Sequence, residues 1–164
     1  MPKTVRVLTV GATSVAAVLV VGAATASAGP DTHDEHGERH HAHEVTLRFD
    51  VATSPFNYTD LGTPGPSAAD VIVFHDTLLV DGREVGHEVG SCVVIEPSGL
   101  SNCTAVVTLD GQGTITYAFE NAPPPEKTLA VTGGSGAYRT ADGDGSFVEA
   151  GNGTGTLVLS LVLR

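Results

Sequence analysis

The sequence predicts an all-β domain of about eight short strands, a sandwich or a barrel. Three observations carry that reading. Apolar runs recur every 8 to 15 residues between turn signals. No run holds a convincing helical period. The breaks are built from Asp-Gly, Asn-Gly and Gly-rich or Pro-rich clusters, which terminate strands and turn the chain.

Strand one alternates Val45, Leu47, Phe49 and Val51 with Thr46, Arg48 and Asp50. A Gly/Pro/Ser segment from Thr53 to Ser67 follows, long enough to be a rim flap. Strand two is predicted near Asp70 to Val80, turning at Asp81-Gly82 into strand three, Arg83 to Ile95. Strand four runs near Asn102 to Leu109, and Asp110 to Gly113 turns it into strand five, Thr114 to Phe119. Three consecutive prolines make Asn121 to Glu126 a loop, because proline cannot donate to a ladder. Strand six is Thr128 to Thr132, strand seven lies near Gly143 to Ala150, and Asn152-Gly153 leads into strand eight, Thr156 to Leu163. Strand eight is apolar on both faces, Leu157, Leu159, Leu161 and Leu163 on one and Val158 and Val162 on the other. An outer strip of that kind marks an interface, so self-association is expected.

The N-terminus reads as an export signal. Lys3 and Arg6 precede an apolar segment from Val7 to Ala24, and Ala26-Ser27-Ala28 supplies the small residues of a cleavage site before Gly29. A membrane anchor would need about 20 uninterrupted apolar residues, more than this segment has. Residues 1–28 are therefore read as a signal peptide, 29–44 as a tail and 45–164 as the folded domain, secreted and without membrane association after cleavage. Losing Lys3 and Arg6 leaves six basic and nineteen acidic residues, a net charge of −13 with neutral histidines. Such a chain repels phosphate backbones and anionic lipid surfaces, which argues against nucleic-acid and membrane partners.

The tail is polar, lacks apolar periodicity and carries His33, His36, His40, His41 and His43. Imidazoles at that density can chelate Zn²⁺, Cu²⁺ or Ni²⁺. They serve equally as a solvated linker, since nothing in the segment preorganises them.

Cys92 and Cys103 are the only cysteines. If Glu96-Pro97-Ser98-Gly99 forms a type I turn, residues whose numbers sum to 195 face each other across the hairpin, and these two cysteines do. Cross-strand neighbours lie about 4.5–5.5 Å apart, within disulfide reach. In an oxidising compartment the pair is read as a disulfide, worth about 2–3 kcal/mol for so short a loop. Two cysteines alone make a poor zinc site.

The Asp81-Gly82 turn sets another register, with facing positions summing to 163. It opposes Asp76 to His87, on a face shared with Ile72, Phe74, Leu78, Val85 and Val89. A carboxylate beside an imidazole among apolar neighbours is an acid/base pair. The opposite face would pair His75 with Glu88, read as outer and structural. The bland reading makes both of them cross-strand pairs worth about 0.2–1 kcal/mol. A bulge in the glycine-rich strand three would exchange the faces, and strand four is more apolar on its Ala105, Val107 and Leu109 side. Tyr117 and Phe119, with Tyr138 and Arg139, are further candidates for a pocket wall and rim. Nucleophile-elbow, zinc-protease, phosphate-loop and dinucleotide motifs do not occur.

The run Leu129-Ala130-Val131-Thr132-Gly133-Gly134-Ser135-Gly136-Ala137-Tyr138-Arg139, followed by Ala141 and Gly143, resembles the GGTGxFrxArG signature of dirigent proteins and the allene oxide cyclase barrel superfamily. Asp70-Val71-Ile72-Val73-Phe74 with Leu78, and Val85-Gly86 before Cys92, resemble the second and third barrel strands of actinobacterial members. The resemblance spans roughly Thr46 to Leu163. It implies an eight-stranded antiparallel up-and-down barrel with a cavity, commonly trimeric, in which a cyclisation or radical coupling is steered without a cofactor. Asp142 stands where the signature has a second basic residue, so that role does not carry over.

Two functions compete. One is an isomerase-like or cyclase-like barrel that folds a small hydrophobic substrate for cyclisation or stereoselective coupling, with Asp76, His87, Tyr117 and Arg139 as polar handles. The other is a non-catalytic extracellular module holding a small ligand, its tail capturing metal.

Overall fold

The computed structural model describes residues 42–122 and 125–164. Eight strands follow one another: β1 His43–Thr59, β2 Val71–Val80, β3 Arg83–Val94, β4 Ser101–Leu109, β5 Gly113–Asn121, β6 Glu126–Gly134, β7 Asp142–Gly151 and β8 Thr154–Leu163. Each pairs antiparallel with the next, and β8 returns to β1, closing the barrel and leaving no free sheet edge. The export signal and the histidines at 33, 36, 40 and 41 lie outside the described residues. His43 opens β1, so the strand begins inside the segment expected to be tail.

Alternation decides what fills the barrel. The inward set includes Phe49 and Val51 on β1, Leu78 on β2, Ala105, Val107 and Leu109 on β4, Ile115 and Tyr117 on β5, and Leu157, Leu159 and Leu161 on β8, all buried. Burying aliphatic and aromatic side chains at about 25 cal/mol per Å² drives this packing. The Leu face of β8 is the inner one, as its pattern predicts. Its outer valines, Val158 and Val162, are only partly exposed. Exposed apolar residues occur instead on other elements, among them Val73 on β2 and Val89 and Val93 on β3, each more than 40% exposed.

The hairpins show how local sequence sets register. Asp81-Gly82 and Asn152-Gly153 each place both residues at positive φ, the geometry that two-residue hairpin turns require. The β3–β4 turn closes with Gly99 N–H donating to the Glu96 carbonyl, 2.9 Å. The ladder then holds the expected register from Val94↔Ser101 to Gly86↔Leu109. Cys92 and Cys103 face each other with Cα atoms 4.0 Å apart and are disulfide-bonded.

The register shifts at four places, between β1 and β2, β2 and β3, β5 and β6, and β7 and β8, and the first two bear on the site. β1 continues to Thr59 instead of ending near Val51, with a register shift between Thr53 and Phe56 around a cis Ser54–Pro55 bond. Pro55 lacks an N–H, and a bulge is where a strand can accommodate that. In β3, Leu79 opposes Glu84 while Leu78 opposes Gly86, so Val85 is the extra residue. From there on facing numbers sum to 164, not 163. Every later side chain of β3 therefore lies on the face opposite to that expected.

The connections at 81–82, 110–112 and 135–141 gather at one barrel end, which is plugged. Tyr138 is buried there, and its hydroxyl donates to Gln112 Oε1, 2.7 Å. The glycine-rich run serves this plug. Gly136 has φ +60°, and a Cβ there would sit 2.4 Å from the Gln112 carbonyl oxygen, so only glycine lets the two turns meet. The other end, bounded by connections 60–70, 95–100 and 152–153, is open.

Candidate functional site

The open end leads into a cavity of about 680 Å³, within the range of small-molecule sites. Its walls are mostly aromatic and aliphatic: Phe56, Ile72, Phe74, Phe119 and Phe147. Two of the phenylalanines are seated by glycine. A Cβ at Gly90 would lie 2.2 Å from Phe74 Cζ, and one at Gly155 would lie 2.6 Å from a Phe147 ring carbon. Each ring thus occupies the space above a bare backbone. The disulfide also contributes, since Cys92 lines the cavity.

Deep in the cavity sit three polar side chains, Asp76 from β2, Glu88 from β3 and Tyr117 from β5. All are buried, at 4%, 3% and 3% exposure. The β3 bulge makes Asp76 and Glu88 direct cross-strand neighbours. Tyr117 donates its hydroxyl to Glu88 Oε1 at 2.5 Å. Asp76 is hydrogen-bonded by the Thr53 side chain, yet its Oδ1 is buried without a partner among the described residues.

These surroundings spread the protonation equilibria. Burial pushes the Glu88 carboxyl up to about 7; the Tyr117 hydrogen bond opposes that rise and the Asp76 charge adds to it. Burial also raises Asp76, partly offset by the Thr53 hydrogen bond and the charge of His75. Tyr117 is raised by burial and then by Glu88, so it remains a neutral donor. Both neighbouring carboxyls therefore hold their protons to higher pH than a solvated carboxyl does. That arrangement can give a proton at one oxygen and take one at another.

Of the site residues expected from sequence, Asp76 and Tyr117 line the cavity and His87 and Arg139 do not. The bulge at Val85 turns His87 to the outer face, opposite Thr77, where its ring stacks on that of His75 with centroids 5.5 Å apart. Glu88, expected on the outside, takes the inner place. Arg139 is exposed next to the plug, at the barrel end away from the cavity mouth. Tyr138 packs in the plug instead of forming a rim. Lys127 was not singled out by sequence; it is buried at the cavity wall and donates to the Ala122 carbonyl at 3.0 Å. Its place inside follows from β6 alternation with Leu129 and Val131. Among the described residues, no three His, Cys, Asp or Glu side chains gather as metal ligands. The histidines proposed to chelate lie outside the described residues, save His43.

A third buried acid, Asp70, has a structural role. Its carboxylate accepts from the Leu61 N–H at 2.8 Å, the Ser67 N–H at 2.7 Å and the Tyr58 hydroxyl. It thereby ties the 60–70 connection to the cavity rim. The Tyr58 hydrogen bond holds Asp70 below the usual carboxylate range, and the same bond pushes Tyr58 up to about 12.

Residues 45–150 match the allene oxide cyclase barrel like domain, and the chain belongs to that family. Among solved structures it is similar to pyocyanin demethylase, at 28% identity with a TM-score of 0.65, over 71% of this chain and 99% of that one. A pterocarpan synthase dirigent protein is similar at 19% identity and a TM-score of 0.55, over 84% and 97% of the two chains. A Diels–Alderase from Streptomyces koyangensis is similar at 13% identity and 0.58, over 76% and 69%. The last two share the fold. A comparison with curated proteins finds no significant match.

Proposed function

We propose that this protein is a secreted barrel that admits a small, largely apolar molecule through its open end and rearranges it by proton transfer, in an isomerisation or cyclisation needing no cofactor. The observation that carries the reading is the buried Asp76–Glu88–Tyr117 cluster at the floor of an aromatic cavity. Glu88, with its carboxyl raised to about 7, is the acid; Asp76 is the base; Tyr117 orients Glu88 and supplies a neutral O–H donor. A proton removed from one substrate atom by Asp76 and returned to another from Glu88 leaves no net oxidation, as an isomerisation demands. Walls built of Phe74, Phe119 and Phe147 hold a flexible chain folded or a planar one flat, lowering the entropic cost of ring closure. Family membership and the 28% identity to a demethylase of pyocyanin support a small-molecule substrate.

The test is to incubate the protein with extracts, identify the retained ligand by mass spectrometry and follow its conversion. Asp76→Asn and Glu88→Gln should each abolish turnover while the ligand still binds. His87→Gln, altered on the outer face, should leave turnover unchanged. Turnover that survives in the Asp76→Asn/Glu88→Gln double variant would reject the catalytic role and leave a non-catalytic carrier.

A further inference from the structure

Within the proposed small-molecule site, the polar groups are unevenly placed. The deep wall holds two adjacent carboxyls, Asp76 and Glu88, whose only hydrogen-bonding neighbours there are hydroxyls, those of Thr53 and Tyr117. Tyr117 satisfies Glu88, but Oδ1 of Asp76, on a side chain 4% exposed, has no hydrogen-bond partner among the described residues. A buried carboxylate oxygen left unmatched is costly, and the cost is relieved by whatever positive charge the cavity admits. The one lysine lining the cavity, Lys127, belongs to β6 and bonds back to Ala122 at the rim. Around the acids stand the rings of Phe74, Tyr117 and Phe119, with Tyr117 and Phe119 centroids 5.9 Å apart. Ring faces attract cations, the more so where water is excluded.

We infer that the preferred occupant of this cavity is a planar conjugated cation, its charged portion against Asp76 and Glu88 and its rings between Phe74 and Phe119. This rests on the reading of the cavity as a ligand site and adds the class of ligand. An uncharged hydrocarbon of equal shape would meet the same walls and leave Asp76 Oδ1 unmatched. An anion of equal shape would face two carboxyls.

Three fluorescent probes of nearly one shape separate these cases: N-methylacridinium, anthracene and anthracene-9-carboxylate, titrated into the full chain at about pH 8, where Glu88 is largely ionised. The cation should bind about tenfold tighter than anthracene, a gap of the size expected for a partly buried charge interaction, and the carboxylate more weakly than either. Asp76→Asn should remove most of the cation's advantage while changing anthracene affinity less than about twofold, so the hydrocarbon also reports that the variant is folded. Asp144→Gln, on the exposed outer face of β7, should leave the advantage intact and so exclude general attraction to an acidic protein. Equal affinities for cation and hydrocarbon, tighter binding of the carboxylate, or an advantage that survives Asp76→Asn would each overturn the inference while leaving a ligand site in place. Failure of all three probes to bind would instead count against the ligand site itself, and against the inference with it.

Discussion

At the scale of single residues, Glu88 connects stability to the site. Its carboxyl sits near 7 in the folded barrel against an ordinary value of 4.5, chiefly because burial penalises the charge. A raised carboxyl means that the folded state holds a proton which the unfolded state has released. Stability therefore falls as pH rises from about 4.5 through about 7 and stays reduced above that. Glu88→Gln removes the ionisation and keeps an acceptor for Tyr117. Denaturant unfolding should find the variant more stable than the parent at pH 8, by up to about 3 kcal/mol, with the difference vanishing near pH 4. An equal difference at both pH values would show that the substitution acts through packing, not through charge. The gain would come at the proposed activity's expense, the usual trade where a strained group performs chemistry.

At the scale of elements, the inner face of β3 decides the cavity wall. Gly86 and Gly90 both point inward but meet different obstacles. A Cβ at Gly86 would lie 2.0 Å from the Thr108 carbonyl oxygen, a backbone atom of β4 that cannot step aside. A Cβ at Gly90 would strike the far end of the Phe74 ring, which can swing into the open cavity. Gly90→Ala is therefore expected to cost about 1–3 kcal/mol, as overpacking does, and to reduce the ligand capacity of the cavity. Gly86→Ala should cost more than that, or prevent folding. Thermal unfolding of the two variants, with probe titration of the first, checks the order; a Gly86→Ala protein as stable as the parent would contradict the close approach of β3 and β4.

At the scale of the whole molecule, charge is distributed unevenly. From Val71 to Leu79 on β2, from His87 to Val93 on β3 and from Asn102 to Thr108 on β4, no outward side chain is a carboxylate, lysine or arginine, although the exported chain would carry −13. Val73, Val89 and Val93 are exposed there beside the stacked His75 and His87. Depletion of charge around exposed apolar residues is the mark of an interface core. Self-association, expected from strand eight, would use this face instead, with a trimer as the assembly that the family resemblance implies. Light scattering at tens of micromolar should give a multiple of the chain mass for the parent and the monomer for Val89→Asp. A monomeric parent would defeat the proposal. Intact mass of the exported protein should begin at or near Gly29 and lack two hydrogens for the Cys92–Cys103 bond.

The sequence by itself determined the all-β class, the eight strands, the β3–β4 register with its disulfide, and the leucine-lined inner face of β8. These follow from period-two alternation and from turns such as Asp81-Gly82, which act over a few residues and can be read where they are written. It also marked Asp76 and Tyr117 as candidates, because polar side chains in otherwise apolar alternation stand out. What only the tertiary structure decided was the partner of Asp76 and the end of the barrel that opens. A single extra residue at Val85 slid β3 by one position and exchanged His87 for Glu88 inside. That bulge is settled by the fit of Gly86 against Thr108 and of Gly90 beneath Phe74, contacts between strands that no local pattern encodes. The plug likewise depends on Gly136 meeting Gln112 across the barrel end, and this meeting placed Arg139 away from the cavity it had been expected to rim. Local periodicity specifies which side chains alternate; only closure of the barrel and packing across it specify which of them meet.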